Sequence, residues 1–154
     1  GPTLTNVNDI RVILVDDASD EVASAAIEEL AARDPRIVFL RQPRNGGPYA
    51  ARNRALEVAI GDFIAIHDGD DYAHPQRLEV QVGALARSPI LKLCTTAHLR
   101  IDRLARLQFE HTLDLLGDGT MTSLFRREVF EVIGGFAPGR SRGAVEVRGR
   151  LAAA

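Results

Sequence analysis

Tryptophan is absent from these 154 residues, cysteine and methionine occur once each, and aromatics make up only 5% of the chain. A lone Cys94 cannot close an intrachain disulfide or supply the thiolates of a structural zinc site, and it points to a reducing compartment. No apolar run approaches the roughly 20 residues needed to span a bilayer, and no charged-then-apolar leader opens the chain. The expected location is therefore the cytoplasm, with any membrane contact peripheral, at the inner face. Basic excess is missing too: the net charge is -2 and the pI about 6.1, so nothing steers the whole molecule toward nucleic acid. The arginines between Arg140 and Arg150 have few aromatics beside them and read as a solvated helix end. No Gly-x-Ser-x-Gly elbow or Ser-His-Asp order suggests a serine hydrolase, and no internal repeat or low-complexity tract appears.

What is present suits one globular domain over residues 3–154, since 45% of the chain is hydrophobic and 26% charged. Gly1-Pro2 has the look of a scar left by tag removal, and the Arg and Ala richness suggests a GC-rich bacterial source. Ile10 to Val15 is an apolar run rich in β-branched residues and interrupted only by Arg11, which reads as a buried parallel strand, and it ends at Asp16-Asp17-Ala18-Ser19-Asp20. Glu21 to Arg33 has helical spacing and stops before Asp34-Pro35. Arg36 to Leu40 predicts a second strand, closed by the turn-forming stretch Gln42 to Pro48, so a right-handed βαβ crossover is expected. Tyr49 to Ile60 predicts a helix, and Asp62 to Ile66 a third strand that feeds His67-Asp68-Gly69-Asp70-Asp71. A helix over Pro75 to Arg87, strands at Ile90–Thr96, Leu99–Ile101 and Met121–Phe125, a short helix over Arg127 to Ile133, a Gly134-Gly135-Phe136 turn and a last helix from Val145 complete the reading. Arg103 to Asp118 carries no clear pattern.

Ligands of open α/β sheets bind in the crevice beyond the carboxyl ends of the strands, and two strand ends here deliver aspartates to that edge. Asp68, Asp70 and Asp71 repel one another unless a cation neutralises them. Their hard oxygens suit Mg2+ or Mn2+, which typically take one or two carboxylates together with substrate phosphates. Taken alone, Asp-Gly-Asp-Asp reads equally well as an acidic turn. His74, His98 and His111 are scattered and read as structural, and Cys94, within the apolar ILKLC, as a small buried hydrophobe.

Four blocks resemble family 2 glycosyltransferases in order and spacing: VDDASDE at 15–21, NGGPYAARNRAL at 45–56, GDFIAIHDGDD at 61–71 and SLFRREVFEVIGGF at 123–136. The resemblance implies a GT-A fold, a three-layer α/β/α sandwich with a mostly parallel central sheet, and inverting transfer from a nucleotide-sugar, UDP-sugar favoured, to a glycan or lipid hydroxyl. It implies that Asp16, with Asp17, hydrogen-bonds the nucleobase, that Asn45 and Gly46 shape the next loop, and that Arg52 lends a guanidinium to base or diphosphate. Asp68 would contact the ribose, Asp70 would bind Mn2+ or Mg2+ as part of the family's Asp-x-Asp motif, and Asp71 would assist. The acceptor proton would go to Glu146, the residue that aligns with the family's base.

The chain departs from the family pattern at two places. Relatives show Asp-x-Glu where this chain has Ala144-Val145-Glu146, and Glu146 reads equally well as a solvated helix residue. Relatives also open with an apolar strand and a base-contacting loop, whereas this chain starts near the end of the following helix. That strand normally lies mid-sheet, so two strands are expected to show unpaired edges, filled by a second copy or a partner chain unless the sheet rearranges. A non-catalytic domain that binds nucleotide or assembles with a partner is the competing expectation. A nucleotidyltransferase ranks last, because no Gly-rich triphosphate loop is present.

Overall fold

The computed structural model describes residues 10–104, 106–108, 119–137 and 143–153, and of the last helix the side chains of 147 and 149–153. Gly1-Pro2, Thr3 to Asn8 and His111 lie outside the described residues, as does most of the unpatterned stretch after Arg103.

Strand β1 (Val12–Asp16) runs parallel to β2 (Ile37–Arg41) with Val12 opposite Ile37 and Asp16 opposite Arg41. Helix α1 (Glu21–Ala32) makes the crossover between them and packs on both strands. Asp20 caps it by accepting from the Ala23 N–H at 2.8 Å, with Glu21 adding favourable charge in the first turn. The helix stops at Arg33, and Asp34 turns to chelate the Arg36 guanidinium, which holds the Asp34 carboxyl down at about 2. This is the βαβ unit that the spacing predicts.

Helix α2 (Pro48–Leu56) follows Gly47, whose φ of +80° is a conformation glycine adopts without strain, and Pro48 supplies the preset φ of a first helical residue. It ends at Leu56, a turn before the expected Ile60. Strand β3 (Phe63–Ala65) then pairs antiparallel with β7 (Ser123–Arg126), which also pairs antiparallel with β4 (Leu93–Thr95). With β7 reversed between them, β3 and β4 point the same way. Ile90 to Lys92, expected as strand, form turn and coil, while β5 (Arg100–Ile101), within the strand expected at Leu99–Ile101, makes a short hairpin with β6 (Leu107–Gln108) from the unpatterned region.

Alternation along β7 separates two apolar layers. Leu124 meets α3 (Arg77–Arg87) through Val82 and Leu85, with Phe63 and Cys94 alongside. Phe125, fully buried, faces the other way with Ile64 and Leu93 into a cluster of Ile66, Val129, Phe130, Phe136 and Val147. That cluster is built by α4 (Glu128–Ile133) and α5 (Gly143–Ala153). Burying Phe125 and Leu85 contributes roughly 2 to 3 kcal/mol each. Helices on both faces of the sheet make the layered α/β/α arrangement expected from the resemblance. Among the described residues, β1 is paired only with β2 and β3 only with β7, so each presents an open edge. No helix of the described residues is long and apolar enough to cross a membrane.

Candidate functional site

The acids after β1 and the acids after β3 are brought together by α2. Asp17, one residue past β1, accepts from the backbone N–H groups of Gly46 (2.8 Å) and Gly47 (2.7 Å) and from Gln42 Nε2, while its carbonyl accepts from Asn45 Nδ2 at 3.3 Å. A carboxylate at the start of α2 is favoured by the exposed N–H groups and the helix dipole. Gly46 is needed for this approach, because a Cβ there would sit 2.8 Å from the Ala50 Cβ. One turn further on, Arg52 Nη2 donates to Asp68 Oδ1 at 2.7 Å. Both strand ends therefore meet across the first two turns of one helix.

Arg52 is only 14% exposed in its side chain, and its guanidinium carbon lies 5.3 Å from the Tyr49 ring centre and 6.0 Å from that of Phe136. Phe136 is held there by the neighbouring Asn53, which donates from Nδ2 to the Phe136 carbonyl and accepts the Phe136 N–H at Oδ1, both at 2.8 Å. The Gly134-Gly135 turn makes this clasp feasible. Gly134 ends α4 at φ +73°, and Gly135 at φ +102° would put a Cβ 2.8 Å from Asn53 Oδ1. Arg150, from α5, donates to the carbonyls of Ile133 and Gly135 and braces the turn from the other side.

The remaining candidate residues differ in how open they are. The Asp16 side chain has no exposed surface: Oδ1 accepts the Ser19 N–H at 2.9 Å, and Oδ2 has no hydrogen-bond partner, with Arg41 Nε 3.5 Å away. Hydrogen bonds from Ser19 hold the Asp16 carboxyl below its usual range, with smaller help from Ser24 and Arg41, against the opposing effect of burial. The tight loop forces Ala18 to φ +62°, uncommon for a residue with a Cβ. Asp68 is half-exposed, and the turn that follows it, closed by the Asp71 N–H to the Asp68 carbonyl at 3.1 Å, leaves Asp70 and Asp71 exposed. Asp70 makes no ion pair among the described residues, and no three acidic, His or Cys groups there form a cage for an ion. Such a set fits an ion held by one or two carboxylates and completed by diphosphate oxygens, not one enclosed by protein. Glu146 lies on the first turn of α5, next to the fully buried Val147; its side chain is outside the described residues.

Motif reading passed over Tyr49, Asn53 and Phe136 as site-builders. The blocks at 45–56 and 123–136 contain them, but only the fold shows that Asn53 and Phe136 touch across 83 positions of sequence.

The architecture, two sets of strand ends converging on the first turns of α2 between helical layers, is that of a GT-A glycosyltransferase fold. The solved mannosyltransferase PcManGT from Pyrobaculum calidifontis, in complex with GDP-Man and Mn2+, matches it with a TM-score of 0.73 and 20% identity, over 97% of this chain and 45% of that one. The chain belongs to glycosyl transferase family 2, whose model matches residues 3–144. A glycosyltransferase of Methanocaldococcus jannaschii is 43% identical over 70 residues, 46% of this chain and 24% of its own length. The succinoglycan biosynthesis protein ExoO of Rhizobium meliloti is 39% identical over 69 residues, 45% of this chain and 19% of its own. The chain thus matches about a quarter of the length of the first relative and about a fifth of the second.

Proposed function

We propose that this chain is the nucleotide-sugar-binding part of a metal-dependent, inverting glycosyltransferase that acts on a glycan or lipid hydroxyl in cell-envelope polysaccharide synthesis. The observation that carries the reading is the Arg52–Asp68 pair, set against the stacked Tyr49 and Phe136 rings where both acidic strand ends meet. A guanidinium so fixed suits a diphosphate, and a half-exposed carboxylate beside it suits ribose hydroxyls. Asp16 Oδ2, which accepts no hydrogen bond and has Arg41 Nε 3.5 Å away, is in this reading the acceptor for an imide N–H such as that of uracil, with Asp17, Asn45 and Gly46 on the adjoining loops. A UDP-sugar is the favoured donor; the GDP-Man of the Pyrobaculum structure makes GDP the natural comparison.

In this reading Asp70, assisted by Asp71, holds Mn2+ or Mg2+, which when bound offsets the charge on the departing diphosphate. Glu146 takes the acceptor O–H proton as that oxygen bonds the anomeric carbon and the carbon–oxygen bond to the nucleoside diphosphate breaks. The chain works in the cytoplasm, at most peripherally on the inner membrane face. Ala144, where the resemblance expects an acid, favours a second reading in which the chain binds nucleotide without turnover.

Calorimetric titration of UDP and of GDP, with and without Mn2+, tests the donor site. Binding that requires Mn2+ and disappears in Asp70→Ala is expected; no binding of either nucleotide under any condition would overturn the reading. Hydrolysis or transfer assays on a chain that binds then separate turnover from binding alone.

A further inference from the structure

The acidic loop is gripped from behind by a side chain outside all four motif blocks. Arg77, the first residue of α3, donates from Nη2 to the Ile66 carbonyl at 2.6 Å and from Nε to Gln81 Oε1 at 3.1 Å, and its Nη1 lies 3.4 Å from His67 Nδ1. Ile66 is the last residue before His67-Asp68-Gly69-Asp70-Asp71, and its N–H is already bonded to the Ser123 carbonyl at 3.0 Å. The loop therefore departs from a residue held at both its N–H and its C=O.

Gln81 sets the direction of that grip. It is fully buried and donates from Nε2 to the carbonyls of Thr122 (2.7 Å) and Cys94 (3.0 Å), which leaves its Oε1 aimed at Arg77. An unbroken polar relay runs from β4 and the turn before β7, through Gln81 and Arg77, to the end of β3. A surface cation has no need of such an anchor. Burial lowers the affinity of the Arg77 guanidinium for its proton, and the charge of Asp71 works against that loss. Within the same loop, Asp68 is held by Arg52.

We propose that Arg77, oriented by Gln81, is a positioning residue that fixes loop 67–71 in the shape that receives a nucleoside diphosphate and its divalent ion. The proposal rests on the donor-site reading above and adds to it the residue that presets the acids. Lysine can keep the charge and one hydrogen bond, but it cannot span Ile66 and Gln81 as the planar fork does.

The test compares wild type, Arg77→Met and Arg77→Lys by thermal unfolding, by hydrogen exchange of the 66–71 amides, and by titration of UDP and GDP in Mn2+. In Arg77→Met the Asp71 amide, bonded to Asp68 in the wild type, is expected to exchange about tenfold faster, with amides of α1 and β2 unchanged. Nucleotide affinity is expected to fall by about fivefold or more, with Arg77→Lys between the two. Should Arg77→Met fail to fold, Arg77→Lys carries both readouts. Unchanged exchange at 66–71, or a loosened loop that binds nucleotide as tightly as wild type, would overturn the positioning role. A wild type that binds neither nucleotide while Arg77→Met still loosens the loop overturns the donor-site reading, and with it the ligand assigned to this device.

Discussion

Replacing Asn53 with alanine removes two hydrogen bonds that join α2 to the turn carrying Phe136. Neither Phe136 backbone group has a substitute partner in secondary structure, because the turn lies between α4 and α5. Leaving a buried donor or acceptor unpaired costs about 1 to 3 kcal/mol. Asn53 is half-buried, so water can recover part of the loss, and about 2 to 3 kcal/mol for the pair is a reasonable expectation. Against a total stability of about 5 to 15 kcal/mol for a domain this is large. With a urea dependence of about 1.5 to 2 kcal/mol per molar, the unfolding midpoint should fall by about 1 to 2 M at unchanged slope. Asn53→Asp is the sharper control: it keeps an acceptor for the Phe136 N–H but sets a carboxylate oxygen against the Phe136 carbonyl, and it should be no better than alanine. Equilibrium urea unfolding followed by circular dichroism makes the measurement. A midpoint within about 0.3 M of wild type for Asn53→Ala would refute the clasp, since that corresponds to less than one ordinary hydrogen bond.

Gly135→Ala should destabilise by about 2 kcal/mol or more, through its positive φ and the approach of a new Cβ to Asn53 Oδ1, and thermal unfolding reads this directly. Asp34, held at about 2 by Arg36, stabilises the fold above the ordinary carboxylate range; that contribution is lost as pH falls from about 4 toward 2, so the acid limb of a stability–pH curve should be shallower in Asp34→Asn. A wild-type curve no steeper than the variant's over that range would count against the pairing. Burial pushes the Cys94 thiol up, so alkylation at pH 8 should run about tenfold or more slower in the folded chain than in urea; equal rates would show the thiol to be open.

Much of the fold was legible along the chain because local physics wrote it there. The apolar run before Asp16, the helical spacing to Arg33 and the break at Asp34-Pro35 each report the conformation of a few neighbouring residues. Boundaries slipped where local signals were indifferent: Glu57 to Ile60 carry no helix breaker before Gly61, and Ile90-Leu91 is apolar without being strand. The direction of β7 was not legible, since alternation describes which face a side chain takes and not which neighbour a strand chooses.

For the site, the chain order announced acids at two strand ends, glycines before α2 and an arginine within it, because those residue types at those spacings carry chemistry that spacing alone can suggest. Tertiary structure decided their division of labour. Asp16 is enclosed while Asp70 stays open, Asp17 is engaged by the Gly46-Gly47 loop, and Arg52 is seated beside the stacked Tyr49 and Phe136 rings. Asn53, Arg77 and Gln81 gain their roles only from backbone carbonyls and N–H groups brought near by folding. A hydrogen bond between residues 83 positions apart leaves no period or motif in the sequence, because its geometry exists only after the layers have packed.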